Sequence, residues 1–513
     1  MRYLFPLFLL LSCLLTFLPG CEPKEDLVQT SGSLEMGADT VLFDTVFTSI
    51  KTVTKRLWVY NRNSGAVKTD VSLLGTAGNT YSLIINGDAG PTVSGITVRG
   101  NDSLLVLVRA VLGDNGQATA PKQFLVTDEV RFRTNGNDQN VKLVAYGQNA
   151  YFHRADYITA NTTWATDKPH VIINASRVIS GNPAVFGVLV GQGSTLTIPK
   201  GARIYSHAGA FLQVDGRLMV GQDFVPGTGT TDTVKATNLN IVRFQGDRLE
   251  SFYADIPGQW GGIVFTKTST GNRIRYAEIK NAVFGALLFN PDNDASPRLT
   301  LNVENTVIKN ISGSNPSFAN ANTSTGGGIV SYSGDVRATN CLFTNCGEYA
   351  VLGVGGGTFD LNFCTIANYT PSFQRQTAAL TFTNEKATDA RVKLLTSVTV
   401  RNSIVWGSFE DELFVKNYAD YAALNIRNSV LRTKEYASTA AVIGGAGVNI
   451  VNVDPLFVKT PLSSSRVDYR LQDTSPAAAR PRTPFNNIPP LPRDLQNLPR
   501  NVTSPTLGAY EHK

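Results

Sequence analysis

Cysteine, histidine and methionine are scarce in this chain, with five, four and three in 513 residues. The four histidines stand at 153, 170, 207 and 512. No spacing among them lets one element chelate a metal, so neither a metal centre nor a cofactor is expected. Charge is also thin, at 17% of residues, and the net +6 is spread along the whole length. Without a basic block interleaved with aromatics, nucleic acid is not an expected partner. The chain has no nucleophile elbow, no phosphate-cradling glycine loop and no Cys-x-x-Cys. What it does hold is glycine, 45 residues, within a composition that is 42% hydrophobic. That balance suits many short strands and turns, hence an all-β class, and 513 residues imply at least two units.

The first twenty residues carry the strongest local signal. Arg2 starts them, an apolar run from Leu4 to Leu18 is broken by Pro6, Ser12 and Cys13, and Leu18-Pro19-Gly20-Cys21 closes it. The run is too short for a spanning helix, which needs about 20 apolar residues, and reads as a signal peptide over 1–20. Its close resembles a lipobox, where bacterial processing acylates a cysteine and cleaves before it. The resemblance implies cleavage between Gly20 and Cys21 and a lipid on Cys21, so the membrane is a partner through the anchor. Each buried acyl CH₂ would add about 0.8 kcal/mol to that attachment. Residues 21–38 are polar and read as a flexible tether. Within them Lys24-Glu25-Asp26 resembles the signal that exports lipoproteins of Bacteroidota, implying an outer-membrane location facing the cell exterior.

Residues 39–150 alternate and turn. Val41, Phe43 and Thr45 share one face, Leu57, Val59 and Asn61 follow, and Val130, Phe132 and Thr134 lead into Asn135-Gly136. This pattern predicts an Ig-like β-sandwich. The segments DTVLFDTVFTSIKTVTKRLWVYNRNSG, RGNDSLLVLVRA and FRTNGNDQNVKLVAYGQ resemble the Ig-like modules at the N-terminus of Bacteroidota β-helix lipoproteins. With no cysteine pair here, packing alone must hold the core.

From 151 onward a seven-residue window recurs: RYAEIKN (275–281), ENTVIKN (304–310), TNCLFTN (339–345), NFCTIAN (362–368), RNSIVWG (401–407) and RNSVLRT (427–433). The third place is always small and the fifth always apolar. Since side chains two apart on a strand share a face, these places point into a core and the fourth and sixth point away. The windows advance by 29, 35, 23, 39 and 26 residues. Steps this uneven suit a parallel β-helix, where one stacked strand keeps its place and the turns absorb insertions. Cys341 and Cys364, both at the third place, are expected to lie inward on adjacent coils as packed thiols. Asn281, Asn310, Asn345 and Asn368, all at the seventh place, are expected to stack as an amide ladder.

Together with Ser194–Tyr205, Gln259-Trp260-Gly261-Gly262-Ile263, Asp454-Pro455-Leu456-Phe457 and Leu507-Gly508-Ala509-Tyr510-Glu511, these windows resemble right-handed β-helix repeat proteins of the pectin-lyase-like class. The resemblance implies a right-handed parallel β-helix over 151–480, with 481–513 as a C-terminal extension capping it. It is nearly silent on activity, because one fold hosts many functions.

Candidate chemistry lies on outward places: Glu278 with Lys280, Lys309 one coil on, and Asp335 with Arg337. Lyases and glycosidases use such groups, yet outward charges on any solvated face look the same, and no catalytic residue is assigned. Asp292-Asn293-Asp294 lacks the spaced ligands of a calcium loop and reads as a turn. Tyr253, Trp260, Tyr332, Phe373 and Trp406 are candidate stacking faces for sugar. The favoured reading is a monomeric, lipid-anchored, non-catalytic surface protein that binds a polysaccharide or cell-surface glycan. The alternative is a polysaccharide lyase or glycosidase.

Overall fold

The computed structural model describes residues 28–113, 123–227, 233–235, 237–313, 326–371, 375–464, 466–478 and 491–512. The chain divides into two units, at residue 149.

In the first unit two five-stranded sheets face each other. One contains Glu35–Met36, Lys55–Tyr60, Ser103–Ala110, Tyr81–Ile85 and Asp88–Gly90, antiparallel throughout. The other sets Thr40–Phe47 parallel to Asn137–Gln148, then adds Gln123–Thr134, Val67–Leu73 and Thr92–Val98 antiparallel. Period-2 alternation decides which face is buried. Leu57 and Val59 are inside while Arg56 and Trp58 are exposed. Asn135 and Gly136 both take positive φ, 52° and 84°, as a tight hairpin whose twist matches its strands requires. The interior is apolar, led by Phe43, Phe132, Leu57, Leu83 and Ile85, so this is a sandwich held by packing.

The second unit is a parallel β-helix. Its first sheet has 11 strands, from Tyr151–Arg154 to Ile450–Val451; the second and third have nine each, from Asp156–Ile158 to Leu413–Lys416 and from Thr162–Thr163 to Ala423–Arg427. One strand from each sheet makes a coil. Ala277–Lys280, Phe284–Phe289 and Thr300–Glu304 form one, and Val307–Ile311, Gly327–Tyr332 and Asp335–Thr339 pair with them in parallel as the next.

All six windows fall on the first sheet, and their fifth places stack in register: Ile279, Ile308, Phe343, Ile366, Val405 and Leu431, each fully buried. The third places, Ala277, Thr306, Cys341, Cys364, Ser403 and Ser429, are buried beside them. Small side chains are needed there because the chain has just turned the corner at the second place. That residue takes positive φ in every window: Tyr276, Asn305, Asn340, Phe363, Asn402 and Asn428. Where the third place is polar, the coil uses it. Ser403 Oγ accepts from the Cys364 amide at 3.1 Å, and Ser429 Oγ accepts from the Ser403 amide at 3.1 Å. Trp164 belongs to the interior at the first coil, and Tyr436, Val442 and Ile443 close the other end.

Candidate functional site

The outer face of the first sheet changes character along its length. Its two outward columns begin with Arg203, Arg243 and Glu278 in one and Tyr205, Gln245, Lys280 and Lys309 in the other. They continue as Val307, Leu342, Thr365, Ile404 and Val430, and as Thr344, Ala367 and Trp406. The apolar half is covered. The hairpin Phe457–Lys459 with Asp468–Leu471, and residues Leu495, Leu507 and Ala509 of the C-terminal segment, lie against Val307, Leu342, Ile404, Trp406 and Val430. The C-terminal segment therefore runs along the side of the β-helix. Gly508 donates to the Asn402 carbonyl at 2.8 Å, and the Arg500 guanidinium donates to Asn340 Oδ1 at 2.6 Å.

In the polar half, Lys280 and Lys309 do pair on successive coils. Glu278 is 5% exposed and accepts from Lys309 Nζ at 2.9 Å and from Arg243 Nε at 3.2 Å. Burial alone would push its carboxyl up, but the facing cations Lys309, Lys280 and Arg243 outweigh burial and hold it below the usual carboxylate range. Lys309 rises because the Glu278 carboxylate outweighs its desolvation. Lys280, desolvated and beside a second ammonium, falls; its Nζ donates to the Ala254 carbonyl at 2.9 Å. Asp335 and Arg337 belong to the third sheet, away from this group. There Asp335 meets Arg298 at 3.6 Å and Arg337 meets Asp360 at 3.5 Å.

Sequence spacing missed the neighbouring pair of His207 and Asp247. They are 40 residues apart in the chain but one coil apart in space, with Nδ1 2.6 Å from Oδ2. Asp247 is 5% exposed and His207 is 48% exposed, and the carboxylate raises the imidazole. The only signal for it was the register of two strands whose windows lack the repeating pattern.

Two clefts open where the C-terminal residues meet the β-helix. One, about 480 Å³, is lined by Thr233, Lys235, Arg470, Asp473, Glu511 and His512 among others. The other, about 530 Å³, combines Tyr369, Trp406 and Leu462 with Glu410, Arg432, Lys434 and Asp454. The Arg432 guanidinium sits 5.2 Å from the Trp406 ring centre, and Lys434 meets Glu410 at 3.4 Å, both of them exposed. Leu462, at the hairpin turn, is exposed at the rim.

Several expected side chains stand elsewhere. Trp260 is wholly buried in the interior, where its indole N–H donates to the Lys280 carbonyl at 2.9 Å; it offers no stacking face. Tyr332 and Trp406 are also buried, at 5% and 7% exposed. Tyr253 is half-buried under the Arg248 guanidinium, 4.1 Å from its ring centre. Gly20, Cys21, Lys24, Glu25, Asp26 and Phe373 lie outside the described residues. Among the described residues no group of His, Cys, Asp and Glu is placed to hold a metal ion.

The seventh-place ladder is shorter than expected. Asn310 donates to Asn281 Oδ1 at 3.3 Å and Asn345 donates to Asn310 Oδ1 at 2.9 Å. Asn281, Asn310 and Asn345 all take positive φ, at 62°, 54° and 50°. Asn368 does not share that conformation and turns instead to the Cys346 backbone, donating to its carbonyl at 2.9 Å and accepting from its amide at 2.7 Å. Asn345 Oδ1 is accordingly left buried with no partner. A second asparagine column runs along the second-place corner: Asn340 to Asn305 at 2.6 Å, Asn402 to Asn362 at 2.9 Å and Asn428 to Asn402 at 2.7 Å. Asn362 supplies the amide where Phe363 occupies the corner.

No family model matches the sequence, and the search of curated proteins returns no match. Among solved structures, the chain is similar to a PapD-like domain of human CEP192 at 12% identity over 24% of this chain and 87% of that one, with a TM-score of 0.16. It is also similar to the catalytic unit of a GH87 α-1,3-glucanase from Streptomyces thermodiastaticus at 12% identity, over 73% and 78% of the two chains, with a TM-score of 0.20. At such TM-scores neither likeness transfers an activity, and the β-sandwich and parallel β-helix rest on the strand pairing itself.

Proposed function

We propose that this protein binds a glycan at the cell surface, held to the outer membrane by a lipid on Cys21, and that its saccharide site is the cleft beside Tyr369 and Trp406. The carrying observation is the composition of that cleft: the exposed Leu462 and the small accessible margins of the largely buried Tyr369 and Trp406 lie beside Glu410, Arg432, Lys434 and Asp454. A sugar ring presents the same two surfaces, a C–H face that packs on apolar groups and a rim of hydroxyls that both donate and accept. The Lys434–Glu410 pair is exposed and worth little by itself, so hydroxyls displace it at small cost. The non-catalytic reading is supported at the other polar cluster. Glu278 is held ionised between Lys309 and Arg243, which suits a structural ion pair and not a proton donor.

The test is a glycan array followed by calorimetry on the chain freed of residues 1–21, with the K434A/E410A double variant as control. The expected result is retention of a saccharide by the parent chain and an affinity at least about tenfold lower in the variant, roughly 1.4 kcal/mol. Equal affinity in the two proteins overturns the assignment of the cleft. New reducing ends or unsaturated products would replace the binding reading with the enzymatic one. Anchoring is read separately: C21S should abolish labelling by a fatty-acid probe, and persistent labelling would remove the lipid from the proposal.

A further inference from the structure

At the start of the β-helix three titratable side chains form one hydrogen-bonded line that the glycan reading does not use. His153 Nδ1 lies 2.7 Å from Asp156 Oδ2, His153 Nε2 lies 2.9 Å from His170 Nδ1, and His170 Nε2 lies 2.7 Å from the Ala165 carbonyl oxygen. His153 is on the first coil and His170 on the second, on paired strands of the first sheet. Both are buried, at 9% and 2% exposed.

The acceptors along this line fix how many hydrogens it needs. A carbonyl only accepts, so His170 Nε2 carries a hydrogen. If His170 is neutral its Nδ1 must then accept, which requires a hydrogen on His153 Nε2. The remaining contact, to Asp156, also needs a hydrogen, whether it sits on His153 Nδ1 or on the carboxyl. Three contacts thus need three hydrogens, whereas two neutral imidazoles and a carboxylate supply two. Without the third, one contact sets lone pair against lone pair: the two ring–ring and ring–carbonyl contacts are buried away from water, and at the 40% exposed Asp156 end the 2.7 Å approach itself calls for a hydrogen between the two atoms.

We infer that Asp156, His153 and His170 hold one shared extra proton, and that this proton clasps the first coil of the β-helix to the second. The surroundings suit it. The Trp164 indole lies flat over both rings, 4.5 Å from His153 and 4.2 Å from His170 between centres, and its π face attracts positive charge. Asp156 is the adjacent anion, and its carboxyl is lowered mainly by the His153 hydrogen bond. The other charged groups nearby come from every packed element. Arg177 donates to the Ala155 carbonyl at 3.2 Å, Lys168 sits 5.4 Å from the Tyr151 ring centre, Asp167 accepts from Tyr151 Oη at 3.1 Å, and Arg154 lies 5.1 Å from the Phe152 ring centre. Two further cations and one anion thus frame the line, in addition to Arg177. Burial holds His170 neutral, lowering it to about 4. The proton therefore sits on the His153–Asp156 side. The clasp is whole from about pH 4, below which His170 also charges and two donors face each other, up to the pH at which the shared proton leaves.

With only four histidines in the chain, ring-nitrogen NMR of the ¹⁵N-histidine-labelled full chain reads each site, using H207Q and H512Q to assign the two outside the line. The expected spectrum near pH 6 shows both nitrogens of His153 protonated and His170 with an unprotonated Nδ1. Raising the pH should remove one proton in a single step. In the same step, amides at 151–158 and 170–173 should exchange at least tenfold faster than their intrinsic rates require. Two neutral rings throughout pH 5 to 8, or loss of the proton with unchanged exchange at these amides, overturns the inference. H170N supplies a second reading: an amide can still accept from His153, so the second His153 proton should survive there, and its loss in a folded variant would also count against the clasp.

Discussion

Replacing Asn310 by glycine and by alanine separates two contributions that the sequence alone merges. Asn310 Nδ2 donates to Asp255 Oδ1 at 3.0 Å and to Asn281 Oδ1 at 3.3 Å, and Asn310 Oδ1 accepts from Asn345 Nδ2 at 2.9 Å. Its backbone holds φ at 54°, where an L side chain with a Cβ is disfavoured. Glycine removes the three hydrogen bonds and adopts this φ freely. Asn345 already carries one buried oxygen without a partner, and N310G strands its amide as well. At about 1 to 3 kcal/mol per buried polar group left unsatisfied, and with Asp255 half-rescued by solvent, N310G should cost about 2 kcal/mol. Alanine loses the same bonds and adds about 1 to 2 kcal/mol for left-handed backbone, so N310A should cost about 3 to 4 kcal/mol. Because a chain of two units need not unfold in one step, the proper assay is native-state hydrogen exchange at 304–311, which reads local opening. N310A less destabilising than N310G, or N310G indistinguishable from the parent, would refute the ladder argument.

Glu412 is fully buried against Arg375, which donates to its two oxygens at 2.5 and 2.7 Å. E412Q should destabilise the β-helix by about 3 to 5 kcal/mol, because it strands a buried guanidinium, and chemical denaturation followed by exchange at 379–383 measures it. Cys341, Cys346 and Cys364 are free and fully buried, and burial raises the Cys341 thiol and takes Cys346 up to about 12. Native protein should therefore resist alkylation at all three over hours while denatured protein reacts in minutes, and fast native labelling would contradict the interior packing. The histidines give opposite pH dependences. His170, lowered to about 4 mainly by burial, binds its proton in the unfolded chain first, so stability falls by about 3 kcal/mol as pH drops from about 6.5 to 4. His207, raised by Asp247, contributes stability that is complete below about pH 6.5 and is lost as pH rises through its native value. H207Q should flatten the second limb and leave the first.

The inward register of the β-helix was legible because it depends on two local facts, a small residue after the corner and an apolar residue two places on. Ile279, Ile308, Phe343, Ile366, Val405 and Leu431 needed nothing else to be placed. The outward face was not legible in the same way, since pointing away from the core leaves open what lies outside. Leu342, Ile404 and Trp406 point away from the interior and are still buried, because the strands Phe457–Lys459 and Asp468–Leu471 and the C-terminal residues Leu495, Leu507 and Ala509 pack over them. The clue lay in the columns. Reading across coils, the fourth place passes from the charged Arg243 and Glu278 to Val307, Leu342, Thr365, Ile404 and Val430, uncharged throughout and apolar at all but Thr365. A solvated strand has no reason to make that change, so the change marks where a cover begins. Contacts between coils were hidden for a related reason. His207 meets Asp247, and Asn340 meets Asn305, at separations of 40 and 35 residues set by turns whose lengths follow no rule.

The same step from charged to apolar explains where the cleft proposed for a glycan arises. Along the first sheet the cover must end, and at its ends the sheet's aromatic side chains meet the polar tips of the covering loops. Trp406 and Tyr369 belong to the β-helix side, while Thr460 and Leu462 belong to the covering hairpin. A cleft built this way has one wall fixed by the register of parallel strands and the other carried on a hairpin of two short strands, Phe457–Lys459 and Asp468–Leu471. On the proposed glycan reading, the strand wall would set the position of a bound ring and the hairpin turn would set what fits beside it. Lengthening the turn between 460 and 464 by two glycines should change which saccharides are held without altering stability by more than about 0.5 kcal/mol, since loop-closure entropy grows slowly with length. A glycan profile unchanged by that insertion would mean that the hairpin takes no part in recognition, and the cleft would then have to be assigned to the strand wall alone.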